Sequence, residues 1–207
     1  MKVMATEGNK FTVHAVSIED ASGLQGVMKD YDAGIVVMPN RYLSYKAIES
    51  AIEVRLNLVD ILEEYHRRPD EYETEGLVIP KGMSIREYGE SLHERAEKGN
   101  VLILDGMGFA PGMSNLTTER GISLLDKAVA AVARVGGIPN AEAKERHPLR
   151  YMTTWSIEHV LREYNVKTWM IKDGKIIELQ ALVDKENFTF NELGRNEELE
   201  CAVNPGL

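Results

Sequence analysis

The 207-residue sequence contains a single cysteine, Cys201, so the chain cannot form an internal disulfide. Such sparse cysteine use is typical of proteins from a reducing compartment. No apolar run approaches the ~20 residues that a bilayer-spanning helix needs, and residues 1–4 lack the apolar core of a secretory signal. These absences predict a cytoplasmic protein without a membrane segment.

Basic residues are fewer than acidic residues. Lysine and arginine together number 24 against 33 aspartates and glutamates, which leaves a formal net charge of −9. Nucleic acids and anionic membranes attract proteins of the opposite charge. The composition therefore predicts neither as a partner.

Several familiar catalytic and metal-binding motifs are missing. The sequence contains no P-loop, HExxH, CxxC or GxSxG pattern. His93, Glu94 and Glu97 share one predicted helix, but this arrangement is typical of a solvated helix face. We therefore expect no metal site, and no catalytic acid or base can be assigned from a motif.

One stretch does have the features of a ligand site. Residues 101–104 are four consecutive apolar residues followed by Asp105, a pattern that predicts a parallel strand buried on both faces. A glycine-rich loop follows, and Ser114 or Asn115 is positioned to cap a helix over residues 116–125. Ligands of open α/β sheets bind at the carboxyl ends of strands, although a plain tight turn remains an equal alternative.

The first half of the chain alternates predicted strands and helices, which indicates a mostly parallel, doubly wound sheet. Residues 62–80 interrupt the alternation with charged residues and prolines, and we expect them to form an exposed excursion. Before Val101, a capping box at Ser84 and Glu87 opens a helix that ends at Gly99. The predicted strands are residues 11–16, 33–38 and 56–61, and the other helices follow Asp20 or Ser22 and span residues 42–54.

The second half predicts α+β structure with antiparallel strands. Asp173-Gly174 between two apolar runs is a strong signal for a hairpin with a type I′ turn. Ser156 is placed to cap a helix with one apolar face formed by Ile157, Val160, Leu161 and Tyr164. Residues 127–135 fit either a helix or a strand, residues 140–147 are predicted as a polar loop, and residues 151–155, 188–190 and 199–203 as strands.

The loop sequence Gly108-Phe-Ala-Pro-Gly-Met-Ser-Asn115 resembles the motif that ends the nucleotide domain in the saccharopine dehydrogenase family. Further similar pieces occur in the same order, namely Met38-Pro39, residues 51–60, 135–139, 148–156 and 163–164, and the turn at 173–175. Ala110 stands where saccharopine-forming members often have aspartate, which favours the lysine dehydrogenase-like branch.

This resemblance implies a fold and a chemistry. The fold would be α/β, with a partial Rossmann-type parallel sheet over residues 1–113 and a substrate-binding and dimerisation α+β domain over residues 114–207. The reaction would be hydride transfer, linked to NAD or NADP, at a nitrogen-bearing carbon of a small amino acid. The resemblance also implies a homodimer.

The resemblance places particular residues at the site. The cofactor side would comprise Met38, Pro39, Gly108, Phe109 and Ala110. The substrate side would comprise Pro111, Gly112, Ser114, Tyr151, Thr154 and Trp155. Asp60 and Asp105 also end strands on the expected side, where each either touches ligand or hydrogen-bonds a loop.

The sequence departs from the family at the pyrophosphate site. Its nearest glycine pattern, at positions 106, 108 and 112, misses the Gly-x-Gly-x-x-Gly spacing by one residue, with Pro111 where a helix should begin. We therefore expect the chain to be a fragment of a longer enzyme. The alternative is a non-catalytic remnant, or an amino-acid-binding module without a cofactor site. A sheet that lacks its central first strand should also expose apolar surface and favour oligomerisation.

Overall fold

The computed structural model describes residues 12–39, 41–61, 78–137, 139–146, 156–189, 196 and 198–204. In chain order the elements are α1 (Ala21–Met28), β1 (Ala33–Val36), α2 (Arg41–Val54), β2 (Asn57–Asp60), α3 (Ile85–Gly99), β3 (Ile103–Leu104), α4 (Met113–Ser123), α5 (Ala141–Arg146), α6 (Ile157–Glu163), β4 (Lys167–Lys172), β5 (Lys175–Gln180), β6 (Glu186–Thr189) and β7 (Glu198–Cys201). This is a mixed α/β architecture, as the sequence predicts.

The first three strands form a parallel sheet in the order β1-β2-β3. Ile35 pairs with Val59, and Val59 pairs with Leu104. Successive crossovers in one direction carry their helices to the same side of a sheet, because such connections are right-handed. Accordingly, α2 packs between α1 and α3 in one helical layer. The predicted parallel sheet is confirmed.

Local chemistry explains where these helices begin. The Asp20 carboxylate accepts from the Gly23 backbone N–H at 3.0 Å and caps α1. The predicted capping box opens α3, because Ser84 Oγ accepts from Glu87 N at 3.3 Å and Glu87 Oε2 accepts from Ser84 N at 2.7 Å. The hydrogen bonds from Gly23 N to Asp20 and from Ser84 N to Glu87 favour the ionised carboxylates. The pKa of Asp20 and the pKa of Glu87 therefore lie below their ordinary values.

The core lies between the sheet and this helical layer. Tyr45, Ile48 and Ile52 of α2 are buried there with Tyr88, Leu92 and Ala96 of α3, which matches the helical spacing of these apolar residues. The Tyr45 and Tyr88 rings stack with centroids 5.3 Å apart. The cluster comprises Val36, Tyr45, Ala47, Ile48, Ala51, Ile52, Leu56, Leu58, Tyr88, Leu92, Ala96 and Val101. Helical periodicity therefore predicts the packed side of each helix correctly.

The opposite side of the sheet corrects one prediction. Residues 101–104 were expected to be buried on both faces, but only Val101 is buried, whereas Leu102 is 63% exposed and Leu104 is also exposed. Ile35 points to the same side as Leu104 and is 75% exposed. The helices all cover one face, so the apolar residues on the other face remain accessible.

The predicted strand at residues 11–16 is also wrong where it is described. Residues 12–16 have no strand structure, and Phe11 lies outside the described residues. The segment contacts the turn that follows α1 instead, where His14 Nε2 is 3.2 Å from the Tyr31 hydroxyl. Alternating polarity gives a strand only when a neighbouring strand supplies hydrogen bonds, and no described strand pairs with this segment.

In the second half, β4 and β5 form the predicted hairpin, with Lys172 paired to Lys175. Asp173 and Gly174 both have positive φ, 52° and 72°, as a type I′ turn requires. β6 and β7 form a second antiparallel pair in which Phe188 is opposite Leu199. These strands confirm the predicted antiparallel character of this half.

Three other predictions for this half are wrong. Residues 127–135 form neither helix nor strand, and most of their apolar side chains are exposed. Residues 141–146 are the short helix α5 rather than a loop, since Asn140 Oδ1 accepts from Ala143 N at 2.8 Å and starts a run of helix-forming residues.

The third concerns α6, whose start directly after Ser156 is confirmed but whose predicted apolar face is mostly exposed. Ser156 occupies the N-cap position without a side-chain hydrogen bond, and only Val160 of the predicted apolar face is buried. Glu163, one turn further on, accepts from Asn204 Nδ2 at 3.0 Å. Contacts with residue 204 therefore help decide which side of this helix is covered, and apolar spacing alone does not.

Two predicted segments fall largely outside the described residues. They are the strand at residues 151–155 and the excursion, of which only residues 78–80 are described. Among the helices of the described ranges, none has the length and apolar content needed to cross a membrane.

Candidate active site at the end of the parallel sheet

The glycine-rich loop of residues 105–112 lies at the carboxyl edge of the parallel sheet. It leaves β3 and immediately contacts the neighbouring strand, because Met107 N donates to the Asp60 carbonyl at 2.9 Å. At the end of β1, the Val36 carbonyl accepts from Ile61 N at 3.3 Å. The ends of all three strands therefore meet at one edge, where α/β sheets bind their ligands.

Two glycines allow this loop to close on itself. Gly112 has φ of 119°, and a Cβ there would lie 2.7 Å from Gly108 N and 2.8 Å from Gly106 O. A Cβ on Gly108 would lie 3.0 Å from the Ile61 carbonyl oxygen. Any larger residue at either position would have to displace backbone atoms, so this loop conformation requires glycine.

The loop leads directly into α4, and this corrects the predicted helix start. Gly112 is the N-cap, and the helix begins at Met113 rather than at residue 116. Asn115 Oδ1 accepts from Gly112 N at 2.9 Å, so Asn115 reaches back to the cap position. The three-residue spacing from Gly112 to Asn115, which matches a capping box, is the signal that could have located this contact.

Hydrogen bonds within the loop also use the first amides of α4. Met113 N donates to the Gly108 carbonyl at 2.9 Å, and Ser114 N donates to the Phe109 carbonyl at 3.0 Å. A helix N-terminus binds phosphate through such N–H groups when they are free. With the amides at residues 112–114 already bonded, this turn does not form a phosphate cradle.

The loop instead offers an apolar surface. Phe109 is 66% exposed, and it is followed by a cis peptide bond between Ala110 and Pro111. Planar rings pack well against exposed aromatic and proline side chains. The surface therefore suits the ring of a ligand better than its phosphates.

The structure brings together most of the residues predicted for the site. Gly108 through Gly112 form the loop, and Ser114 lies at the start of α4 and is buried. Met38 and Pro39 follow β1 at the same edge of the sheet, where Met38 is half-buried and Pro39 exposed. Tyr151, Thr154 and Trp155 lie outside the described residues.

Two carboxylates end strands at this edge, as expected. Asp60 is 2% exposed and belongs to β2, whereas Asp105 is half-buried just after β3. A carboxylate as deeply buried as Asp60 needs polar partners or a proton. Its position beneath the loop favours a role in holding the strand ends together.

A separate cavity of about 210 Å³ lies between α2, α3 and residues 78–80. The Tyr88 hydroxyl donates to Glu49 Oε1 across it at 2.8 Å. None of the predicted site residues lines this cavity, whose walls are Tyr42, Tyr45, Lys46, Glu49, Val78, Pro80 and Tyr88. Within the described ranges, no group of three or more His, Cys, Asp or Glu residues is arranged to hold a metal ion.

Comparison with known proteins relates both the second half of the chain and its fold to saccharopine dehydrogenases. Residues 108–204 match the family model of the saccharopine dehydrogenase C-terminal domain, which begins inside the glycine-rich loop. The fold is similar to that of apo histidine-tagged saccharopine dehydrogenase (L-Glu forming) from Saccharomyces cerevisiae, with a TM-score of 0.57 and 18% sequence identity. That match covers 91% of this chain but only 38% of the yeast chain. The second half of the chain is therefore similar to the saccharopine dehydrogenase C-terminal domain, and the fold is similar to that of a saccharopine dehydrogenase.

Proposed function

We propose that this chain is part of an NAD(P)-linked oxidoreductase acting on a C–N bond of a small amino acid. The observation that carries the proposal is the coincidence of two findings at the glycine-rich loop. The family match begins there, and the ends of three parallel strands meet there. Sheet edges of this kind are the usual ligand sites of α/β proteins.

The loop fits only one end of a dinucleotide. Its amides at residues 112–114 are occupied, so they are not available to a pyrophosphate group, whereas exposed Phe109 suits a nicotinamide ring. We therefore propose that other parts of a longer protein hold the phosphates. The yeast saccharopine dehydrogenase, of which this chain covers 38%, has ample additional length.

In this proposal the protein residues position the reactants. When bound, NAD(P) supplies the hydride chemistry that interconverts an amine and an imine. Phe109 and Pro111 would orient the nicotinamide ring, with Met38 and Pro39 along the cofactor. The substrate would be an amino acid of the lysine type, as Ala110 favours, bound on the side of Gly112 and Ser114.

A cofactor titration tests this assignment. We expect NADH or NADPH to bind this chain saturably with a Kd in the millimolar range, which corresponds to a binding free energy of about −4 kcal/mol. The fluorescence of the reduced nucleotide measures this binding. Phe109→Ala should weaken binding at least tenfold, because it removes the exposed ring of the loop. Trp169→Ala, which removes an exposed aromatic ring of the hairpin, is the matched control and should leave binding unchanged.

Three results would contradict the proposal. They are the absence of saturable cofactor binding, equal losses in both variants, and tight binding that Phe109→Ala leaves intact. Calorimetry with lysine and glutamate then separates the alternative. Binding of an amino acid without cofactor would identify an amino-acid-binding module.

We also place the protein in the cytoplasm, because its single half-buried cysteine suits a reducing compartment. Subcellular fractionation would check this location.

A further inference from the structure

We propose that the cavity between α2 and α3 binds a free α-amino acid whose side chain is apolar and about the size of that of leucine. We call it the tyrosine cavity, because the side chains of Tyr42, Tyr45 and Tyr88 line it. It shares no residue with the glycine-rich loop, so it is a second site. The proposal does not depend on cofactor binding or on the oxidoreductase assignment.

Helix α2 forms one wall of the tyrosine cavity through helical spacing. Tyr42, Tyr45, Lys46 and Glu49 recur at intervals of three and four residues, which places them on one side of the helix. A helix side that packs towards another helix is normally apolar. The two charged residues in this stripe therefore require a reason beyond packing.

The two charges do not neutralise each other. Lys46 and Glu49 are three residues apart, a spacing at which opposite charges on a helix normally pair. Lys46 Nζ lies 5.7 Å from the centroid of the Tyr42 ring instead, and Glu49 Oε1 accepts from the Tyr88 hydroxyl at 2.8 Å. Within the described ranges they form no ion pair with each other, so both charges can contact a ligand that lies between them.

The tyrosines themselves are held in place. The Tyr42 hydroxyl donates to Glu19 Oε1 at 2.8 Å and to Glu19 Oε2 at 2.9 Å, which fixes the ring beneath Lys46. The Tyr45 and Tyr88 rings are stacked at an angle of 23°. Side chains that are already ordered lose little conformational freedom when a ligand binds. The tyrosine cavity is therefore preorganised.

The pair of charges selects the class of ligand. An anion would be repelled by Glu49 and a cation by Lys46, and an uncharged molecule would form no ion pair with either residue. A zwitterion satisfies both, because its carboxylate accepts from Lys46 and its ammonium donates to Glu49 through charge-assisted hydrogen bonds. An α-amino acid carries its two charges on one carbon, which suits side chains whose Cβ atoms lie about 5–6 Å apart on a helix.

The walls select the side chain of the ligand. The Tyr45 and Tyr88 rings are each 4% exposed and form the inner wall, and exposed Val78 and Pro80 form the rim. The cavity volume of about 210 Å³ exceeds the ~150 Å³ in which an engineered protein core binds benzene. A branched aliphatic side chain therefore fits. A charged side chain would lose its water against the rings, which disfavours lysine and glutamate.

Isothermal titration calorimetry of the full chain with L-leucine tests the site. We expect saturable binding. Two analogues each lack one charge, since 4-methylpentanoate has no ammonium and 3-methylbutylamine has no carboxylate. Each should bind about tenfold or more weakly than leucine, because one protein charge then has no partner. Lysine and glutamate should also bind about tenfold or more weakly, because their side-chain charges would be desolvated.

Substitutions locate the binding. Glu49→Gln and Lys46→Met should each weaken leucine binding about tenfold or more. Glu53→Gln is the matched control for the first, because Glu53 lies one turn further along α2 and also accepts from a side chain of α3, Arg95. Lys98→Met, at an exposed position of α3, is the control for the second. Both controls should bind leucine as the unmodified chain does, and far-UV circular dichroism confirms that each variant is folded.

Four results would overturn the proposal. They are the absence of saturable leucine binding, equal binding of leucine and the one-charge analogues, equal losses in the variants and their controls, and binding that Phe109→Ala removes but Glu49→Gln leaves intact. The last result would place the amino acid at the glycine-rich loop. The cofactor titration is independent of this outcome, because Glu49→Gln should leave the binding of NADH or NADPH unchanged.

Discussion

The two halves of the chain differ in how they stabilise themselves. Between α1 and β3, one cluster of twelve buried residues joins the sheet to its helices. Among the described residues between α6 and β7, the buried ones are few and half of them are polar, namely Val160, Arg162, Thr168 and Ala181. The first half has its own core, whereas the second half exposes much of its apolar surface.

The difference follows from the number of strands and helices in each region. A three-stranded sheet under helices buries one complete face, but an isolated pair of strands is marginally stable in water. The hairpin of β4 and β5 carries a cross-strand ion pair instead, between Lys167 Nζ and Glu178 Oε2 at 2.7 Å. Exposed pairs of this kind contribute ~0–1 kcal/mol each. The second half therefore depends more strongly on contacts outside itself.

The largest expected effect comes from the core of the first half. Leu58→Ala should lower the free energy of unfolding by about 3 kcal/mol, because Leu58 is buried at the centre of the sheet. Leu161→Ala, at an exposed position of α6, is the control and should cost less than ~0.5 kcal/mol. Urea unfolding followed by circular dichroism measures both.

Tryptophan fluorescence extends this test to the comparison between the halves. Both tryptophans, Trp155 and Trp169, belong to the second half of the sequence. If the halves unfold separately, Leu58→Ala should move the circular dichroism transition and leave the fluorescence transition in place. Coincident shifts would show that the chain unfolds as one cooperative unit.

A smaller effect is expected at the loop that follows the sheet. Gly112→Ala should lower the free energy of unfolding by about 2 kcal/mol, because its φ of 119° and the nearby backbone atoms leave no room for a Cβ. Gly121→Ala in α4 is the matched control, since a Cβ there has no neighbour within 4 Å. That change should raise stability by ~0.5–1 kcal/mol. Equal effects of both variants would contradict the requirement for glycine in the loop.

The smallest expected effect is a pH dependence in the second half. Burial raises the pKa of half-buried Glu163 above its ordinary value of 4.5, against the opposing effects of Asn204 and Arg162. The folded state therefore binds more protons than the unfolded state from about pH 4.5 up to the raised pKa, and stability falls as pH rises through that window.

Glu163→Gln tests this pH dependence. The amide oxygen still accepts from Asn204 Nδ2, but the buried charge is removed. We expect no stability difference below pH 4.5 and a modest gain at pH 7, measured by thermal unfolding at several pH values. Glu119→Gln, at an exposed position of α4, should show no such trend. A loss of stability at pH 7 would contradict the sign.

Sequence reasoning succeeds where neighbouring residues decide the structure. The capping box at Ser84, the positive φ values at Asp173 and Gly174, and the buried side of α3 all depend on residues a few positions apart. The contact of Asn115 with Gly112 is equally local, although sequence spacing predicts the start of that helix three residues too late. Residues that are close together in the sequence determine these features.

Sequence reasoning fails where a distant partner decides the structure. Residues 101–104 have the composition of a doubly buried strand, yet whether Leu102 is covered depends on what packs against the second face. The apolar run at 127–135 has no pattern that specifies a partner, and residues 12–16 alternate correctly without a strand beside them. Composition sets how apolar a segment is, but tertiary contacts decide whether it is buried.

The strand order β1-β2-β3 has a consequence for biosynthesis. Each strand pairs with the one that precedes it in the chain, so no strand of this sheet has to wait for a later one. Chains leave the ribosome amino end first, and domains generally fold as units in that order. This sheet can therefore assemble progressively as the chain leaves the ribosome, with each new strand adding beside one that is already available.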